Sequence, residues 1–373
     1  MKKLFFAFAA LALLFTSCSD DQKQFVQEEN INMDDWYVYT DADLDETSRM
    51  AENKGKSCYS MVNLNRLLNE NPGLERKMYD IEYQTRSIIA GKKPDNPGGG
   101  NGGGNNGGGD DGGGDPPVDN LGVINIPVYV HVIYSNSQQN ISNAQIDSQI
   151  QVLNDDFRRT NSDASNTPSV FSGVVADSEI TFSLAGITRK ASSVTSWGTN
   201  DAMKFASNGG VDVITPETHL NIWVCNIGGG ILGYAQFPGG PAATDGIVVG
   251  PNFFGTTGYL SAPFDGGRTA THEVGHYLNL RHIWGDGGCN VDDFVADTPN
   301  ASGPNYTGTP CTFPGRNSCT PKGKPGQPDD PDMFQNYMDY SDDTCMNLFT
   351  EGQKARMRAL FESGGSRAAI AGN

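Results

Sequence analysis

The sequence predicts an α/β (α+β) fold for residues 121–373, regular in its first part and irregular but cross-linked in its second. Three observations carry this. Strand-like and helix-like periods alternate between residues 121 and 283. Residues 285–333 are poor in apolar side chains and rich in Gly, Pro and Asp, yet hold Cys289, Cys311 and Cys319, with Cys345 just beyond. A tract at 98–114, in which twelve of seventeen residues are glycine, separates this body from what precedes it.

The first seventeen residues read as a signal peptide. Lys2 and Lys3 form a charged start, and Leu4–Phe15 is an apolar run of twelve residues. A membrane-spanning helix needs about 20, so this run has the length of a signal core. It ends at Thr16-Ser17-Cys18, which resembles a bacterial lipoprotein box with Cys18 as the lipidated residue. The expectation is an exported chain: a cell-surface or outer-membrane lipoprotein, tied to the membrane by its lipid and open to release as a secreted form.

Residues 18–92 form a second segment. Met61, Leu64, Leu67 and Leu68, then Leu74, Met78, Ile81 and Ile88, recur at helical spacing around Asn71-Pro72-Gly73. This predicts a helical hairpin. Residues 93–120 read as a flexible linker. Glycine loses the most backbone freedom on ordering, and a coil of this kind spans roughly 20–25 Å over its glycine tract.

From residue 121 the α/β rhythm begins. Val123–Tyr134 is β-branched and aromatic and reads as a strand. Within 141–159, Ile146, Ile150, Leu153 and Phe157 fall on one face of a helix. Glu179–Gly186 and His219–Ile227 read as further strands, and Gly233–Phe237 as a short edge strand. His131 and His219 lie inside strand patterns and read as packing residues, not metal ligands.

Charge excludes one class of partner. The chain has 26 Lys and Arg against 44 Asp and Glu, a net charge of −18. Phosphate binding needs clustered basic residues, so no nucleic-acid partner is expected. Seven cysteines suit an oxidising compartment. The four between 289 and 345 allow three pairings. Cys225 lies in a strand pattern and reads as a buried free thiol.

The chemistry sits at His272-Glu273-Val274-Gly275-His276-Tyr277-Leu278-Asn279-Leu280-Arg281-His282. Helix positions four apart differ by about 40° in direction, so His272 and His276 share a face and can grip one Zn²⁺. Glu273, the next residue, can reach the reacting centre without being a ligand. His282 points off that face if the helix runs on, so the chain must turn near Asn279. Asparagine is among the residues that tolerate a left-handed turn. Asp286 is a rival third ligand. Asp292, Asp293, Asp297 and Thr298 offer hard oxygens suited to Ca²⁺.

With its third histidine, this eleven-residue pattern resembles that of a metzincin metalloprotease, with Asn279 where the metzincin pattern has glycine. Gln335-Asn336-Tyr337-Met338-Asp339-Tyr340-Ser341-Asp342-Asp343, followed by Cys345, Met346, Phe349 and Thr350, resembles the Met-turn region of the pappalysin family. The resemblance extends to His282-Ile283-Trp284-Gly285-Asp286 and Val295-Ala296-Asp297-Thr298-Pro299.

The resemblance implies a metzincin-like fold: an upper subdomain with a twisted mixed sheet and two long helices, a lower irregular disulfide-stapled subdomain, and an active-site cleft between them. It implies a zinc-dependent metalloendopeptidase acting on protein or peptide substrates. His272, His276 and His282 would bind catalytic Zn²⁺, Glu273 would be general base and acid, and Met338 would floor the metal. Tyr340 would stabilise the transition state. It implies the bridges Cys289–Cys319 and Cys311–Cys345, and structural Ca²⁺ near Asp293, Asp297 and Thr298. Residues 18–92 become a pro-segment that inhibits its own enzyme, with Cys58 as latency switch on the metal. Asp343 would floor the pocket for the residue after the scissile bond (P1′), selecting Arg or Lys. Arg86, Lys92 and Lys93 would then be self-cleavage sites. Two other readings stay open: a catalytically silent surface binding protein, and a zinc amidohydrolase acting on non-peptide amides.

Overall fold

The computed structural model describes residues 31–40, 58–91, 119–320 and 329–372. The signal peptide, Cys18, Lys92, Lys93 and the linker up to residue 118 lie outside the described residues. No described helix is long and apolar enough to cross a membrane.

The predicted hairpin is present as α1 (Ser60–Glu70) and α2 (Leu74–Ile89). Gly73 between them has φ +94°, a left-handed conformation that glycine adopts without strain. Met61, Leu64, Leu67, Leu68, Leu74 and Met78 form an apolar cluster with Val38 and with Phe237 of the body. Arg86 lies inside α2, with its guanidinium on Asp35 and Glu82. The peptide bond before it is held helical, away from the extended form a cleft takes, which argues against a cut there in the folded chain.

The body resumes at Asp119, whose carboxylate is bound by Arg358, within the span read as linker. A five-stranded sheet follows, built from β1 (Ile124–Tyr134), β2 (Ile180–Ala191), β3 (Leu220–Val224), β4 (Gly233–Ala235) and β5 (Ile247–Val249). The order is β2-β1-β3-β5-β4. All pairs are parallel except β5 with β4. The interior strand β1 is buried on both faces: Val128, Val130 and Val132 on one, His131 and Ile133 on the other. Helix α3 (Asn143–Phe157) covers the sheet with Ile146, Leu153 and Phe157 fully buried. Ser142 caps it by accepting the Gln145 N–H at 3.1 Å.

Three strand ends differ from the sequence reading; the short β4 stops at Ala235, two residues before the expected Phe237. β2 runs five residues past Gly186, which is an interior position pressed against Tyr129, where a Cβ would sit 2.8 Å from Cε1. β3 stops at Val224, before the expected Ile227. Strand β5 and helix α5 (Glu351–Ala359) were not foreseen. β4 is the edge strand, as expected.

The second helix of the body, α4 (Arg268–Tyr277), is ten residues long against fifteen in α3, and everything from Thr269 to Tyr277 in it is buried. Below it, residues 285–333 carry no helix or strand among those described. Cys289 is bonded to Cys319, and Cys311 to Cys345. The second bridge ties this irregular stretch to the turn after Met338. Cys225 is free and buried.

Candidate active site

The site is assembled by one helix end and one turn. α4 stops because Asn279 takes φ +69°, a conformation that lets the Leu280 N–H return to the Gly275 carbonyl at 3.0 Å. The reversed chain brings His282 back beside His272 and His276. The His276 Nε2 lies 3.1 Å from Nε2 of each of the other two. Cys58 joins the group: its Sγ and the three ring nitrogens all lie within 4.8 Å of one another. Among the described residues, no second group of three or more His, Cys, Asp or Glu donors converges in this way.

The three rings fit a metal. Each Nδ1 faces an acceptor: Tyr337 O at 2.7 Å for His272, Leu280 O at 2.8 Å for His276, and Asp286 Oδ1 at 2.6 Å for His282. Each Nδ1 is therefore the protonated nitrogen, and three Nε2 lone pairs meet with no proton between them. Lone pairs that close repel unless a cation holds them. Tetrahedral ligands at the zinc–nitrogen distance stand about 3.3–3.4 Å apart, near the spacing seen. Burial, then neighbouring His282, lowers His272 to about 3, and burial pushes His276 well below its ordinary value, so both rings are neutral, the form a metal would need. Asp286, the rival ligand, instead stands behind His282 and orients it.

Glu273 is buried beside these rings. Burial raises its carboxyl to about 8, against the pull of hydrogen bonds from the Ser60 hydroxyl and the Cys58 thiol. Ser60 Oγ donates to Glu273 Oε2 at 2.7 Å and accepts the Ala235 N–H at 2.7 Å. The Cys58 thiol reaches the same Oε2 at 3.4 Å, and Tyr59 N donates to the Gly233 carbonyl at 3.0 Å. Residues 58–60 thus cover the general-base candidate and pair with the edge strand β4. The sequence reading missed Ser60.

Met338 is fully buried, with its sulfur packed on Gly275. A Cβ at Gly275 would stand 2.3 Å from Sδ, so glycine is needed between the two histidines. Tyr340 packs its ring 5.0 Å from His282 and donates its hydroxyl to the Cys58 carbonyl at 3.2 Å.

A pocket opens next to Glu273, lined by Phe264, Thr269, Tyr340, Asp343 and Met346. Asp343 Oδ2 accepts from Gly266 N at 2.8 Å and Arg268 N at 3.3 Å, while buried Oδ1 takes no hydrogen bond. Burial raises this carboxyl to about 7 despite the opposing N–H bonds and Arg268 charge.

Other expected positions lie elsewhere. His131 is buried between Thr188 and Asn221, and His219 bonds Thr215 and Thr218. Thr298 donates to Asp293 at 2.7 Å, Asp292 accepts the Phe294 N–H at 2.7 Å, and Asp297 accepts from Thr350 Oγ1 and Gly352 N at the start of α5.

The comparisons with known proteins decide the family. The model described as "Pregnancy-associated plasma protein-A" matches residues 215–362. An extracellular metalloprotease of Coccidioides posadasii is 35% identical over 247 residues, covering 64% of this chain and 77% of its own. One from Pyricularia oryzae is 36% identical over 251 residues, covering 64% and 75%. The chain belongs to the pappalysin family. Two structures from Tannerella forsythia are similar to this metalloprotease. Mature mirolysin in complex with a cleaved peptide is 48% identical, with a TM-score of 0.63, covering 68% of this chain and 96% of its own. A promirolysin mutant is 41% identical, with a TM-score of 0.69, covering 84% and 96%. The pappalysin therefore combines a metalloendopeptidase fold with homology to a precursor form.

Proposed function

We propose that the chain is an exported zinc endopeptidase held latent by residues 18–92, cleaving before Arg or Lys. One observation carries it: the three free Nε2 atoms and the Cys58 thiol converge on a single point beside Glu273. His272, His276 and His282 would hold the metal, which when bound acts as Lewis acid on the scissile carbonyl and lets water attack at neutral pH. Glu273 takes the proton of the attacking water and returns it to the leaving amine. The Tyr340 hydroxyl, released from the Cys58 carbonyl, hydrogen-bonds the developing oxyanion. Strand β4 receives the substrate backbone, and Asp343 Oδ1 pairs with a basic P1′ side chain.

Latency is supported by occupancy. Cys58 stands among the metal ligands, and Ser60 takes both the general base and an edge-strand N–H. The larger share of the chain matched by promirolysin than by mature mirolysin, 84% against 68%, supports a pro-segment. The extracellular naming of relatives supports export; anchoring through Cys18 is part of the same proposal, tested by palmitate labelling that Cys18→Ala should abolish. Structural Ca²⁺ at 292–298 is a secondary proposal resting on the hard oxygens there. A calcium-selective chelator should lower Tm, and an unchanged Tm removes it.

The deciding experiment is a peptide-library digest with the matured chain. Glu273→Gln should lower kcat by about 10²–10⁴-fold, and a zinc chelator should abolish cleavage. Full activity in Glu273→Gln overturns the mechanism. Cleavage of amides but no peptides would favour the amidohydrolase reading.

A further inference from the structure

The body holds a second carboxylate turned toward the segment that covers it. Asp201 is buried, with 2% of its side chain exposed, and Arg66 of α1 binds its Oδ2. The opposite oxygen is served from within the body: Lys204 Nζ lies 2.9 Å from Oδ1 and the Tyr234 hydroxyl 3.1 Å. Lys204 cannot swing across, because Nζ also donates to the Thr244 carbonyl at 2.7 Å and lies over the Trp223 and Tyr234 rings. Among the described residues, Oδ2 receives its hydrogen bond from Arg66 and none from the body. Without Arg66, this Asp201 oxygen has no hydrogen-bond donor from the body among the described residues.

The position of this oxygen matters. Tyr234 is the middle residue of β4, and its side chain reaches Asp201 on one face of the sheet. Gly233 and Ala235 face the other way, where a Cβ on Gly233 would stand 3.1 Å from Glu273 Cγ. A peptide added to this edge has every second side chain on Tyr234's face, close to the cross-strand neighbour. A long basic side chain there comes within reach of Asp201, one or two residues from the reacting bond. Arg66 reaches the same oxygen from α1, steadied by Asn63, which accepts from Arg66 at 2.7 Å and donates to the Ala235 carbonyl at 3.0 Å.

We propose that Asp201 floors a second substrate subsite, distinct from the Asp343 pocket, that takes a Lys or Arg side chain and is filled by Arg66 in the latent chain. This rests on the endopeptidase reading. A protease with both subsites prefers substrates carrying two basic residues close to the cut, one of them at P1′.

The test uses the full-length chain taken through its own maturation. Peptides with Arg at P1′ are varied singly at the other positions, Arg and Lys against Gln. We expect one position besides P1′ to favour a basic residue about tenfold in kcat/KM, and Asp201→Asn to cut that basic-to-neutral ratio by a similar factor. Because Asp201→Asn could disturb folding around Lys204, a second arm uses wild-type protein only. A synthetic peptide of residues 58–70 should bind the matured chain about tenfold more tightly than its Arg66→Gln version, with Arg66→Lys restoring most of the difference. A flat library profile beyond P1′, or equal binding of the three peptides, overturns the subsite. If no peptide is cleaved, the endopeptidase reading fails, and the binding arm alone decides the subsite.

Discussion

At the scale of single residues, the site depends on groups that never touch a substrate. Asp286 fixes the ring of His282 through its Nδ1, so Asp286→Asn should weaken zinc retention about 10–100-fold in a chelator competition; unchanged retention would show that the ring needs no such support. Gly275 leaves room for the Met338 sulfur. Gly275→Ala forces a clash inside a closely packed layer and should cost about 1–3 kcal/mol, read as a lower urea midpoint. Asp343 adds a pH signature. Its carboxyl sits near 7 in this buried pocket and loses its charge below that value. The ratio of kcat/KM for basic over neutral P1′ peptides should therefore fall as pH drops from about 8 to 6. Taking the ratio cancels the titration of groups common to both substrates.

At the scale of elements, α1 and the residues before it act as a plug with several teeth. Cys58 meets His272, His276 and His282, Ser60 meets Glu273 and the Ala235 N–H, and Asn63 meets the Ala235 carbonyl. Ser60→Ala keeps the thiol but strips a buried N–H of its partner, a loss of about 1–3 kcal/mol. The precursor should then mature sooner while Cys58 is intact, seen as a shortened lag in a self-processing time course. A lag equal to wild type would assign latency to the thiol alone. Helix α2 adds a distant fastening, in which buried Glu82 accepts from Arg356 of α5 at 3.0 and 2.7 Å.

At the scale of the whole molecule, that fastening gives the precursor a pH dependence. Burial alone would raise the Glu82 carboxyl, but Arg356 and Arg86 outweigh it and hold it at about 2 against an ordinary 4.5. A lowered carboxyl stabilises the folded form fully above about 4.5 and loses that contribution as pH falls toward 2. Glu82→Gln leaves the buried Arg356 charge without a carboxylate partner, at a cost of about 3–5 kcal/mol near neutral pH. The gap in stability between wild type and this variant should narrow from pH 4.5 downward; a constant gap would mean the carboxylate charge is not what binds.

What could be read from the sequence follows the range of the forces involved. The His272–His282 constellation was legible because metal chemistry restricts both residue type and spacing, and Asn279 was legible because few side chains turn left-handed. Central strands and α3 showed through their periodicity. β5 has three residues, too few to display a period. α5 did carry a local signal, a Thr350–Gln353 capping box, that the apolar pattern alone does not register. Ser60 and Asp201 had no local signal. Ser60 meets Glu273 across 213 positions and Arg66 meets Asp201 across 135, and only the folded chain brings them together.

The edge strand β4 carries a further consequence. An uncovered edge invites other chains to add to it and to aggregate. In this structure Tyr59, Ser60 and Asn63 take up its backbone groups, so the folded chain with residues 58–63 in place does not present that edge. Once the cover leaves, the exposed rungs number only three residues. That is long enough to seat a passing peptide and too short to template a growing sheet. In the latent form proposed above, the same few residues would also shield this edge from self-association until the strand has substrate to hold.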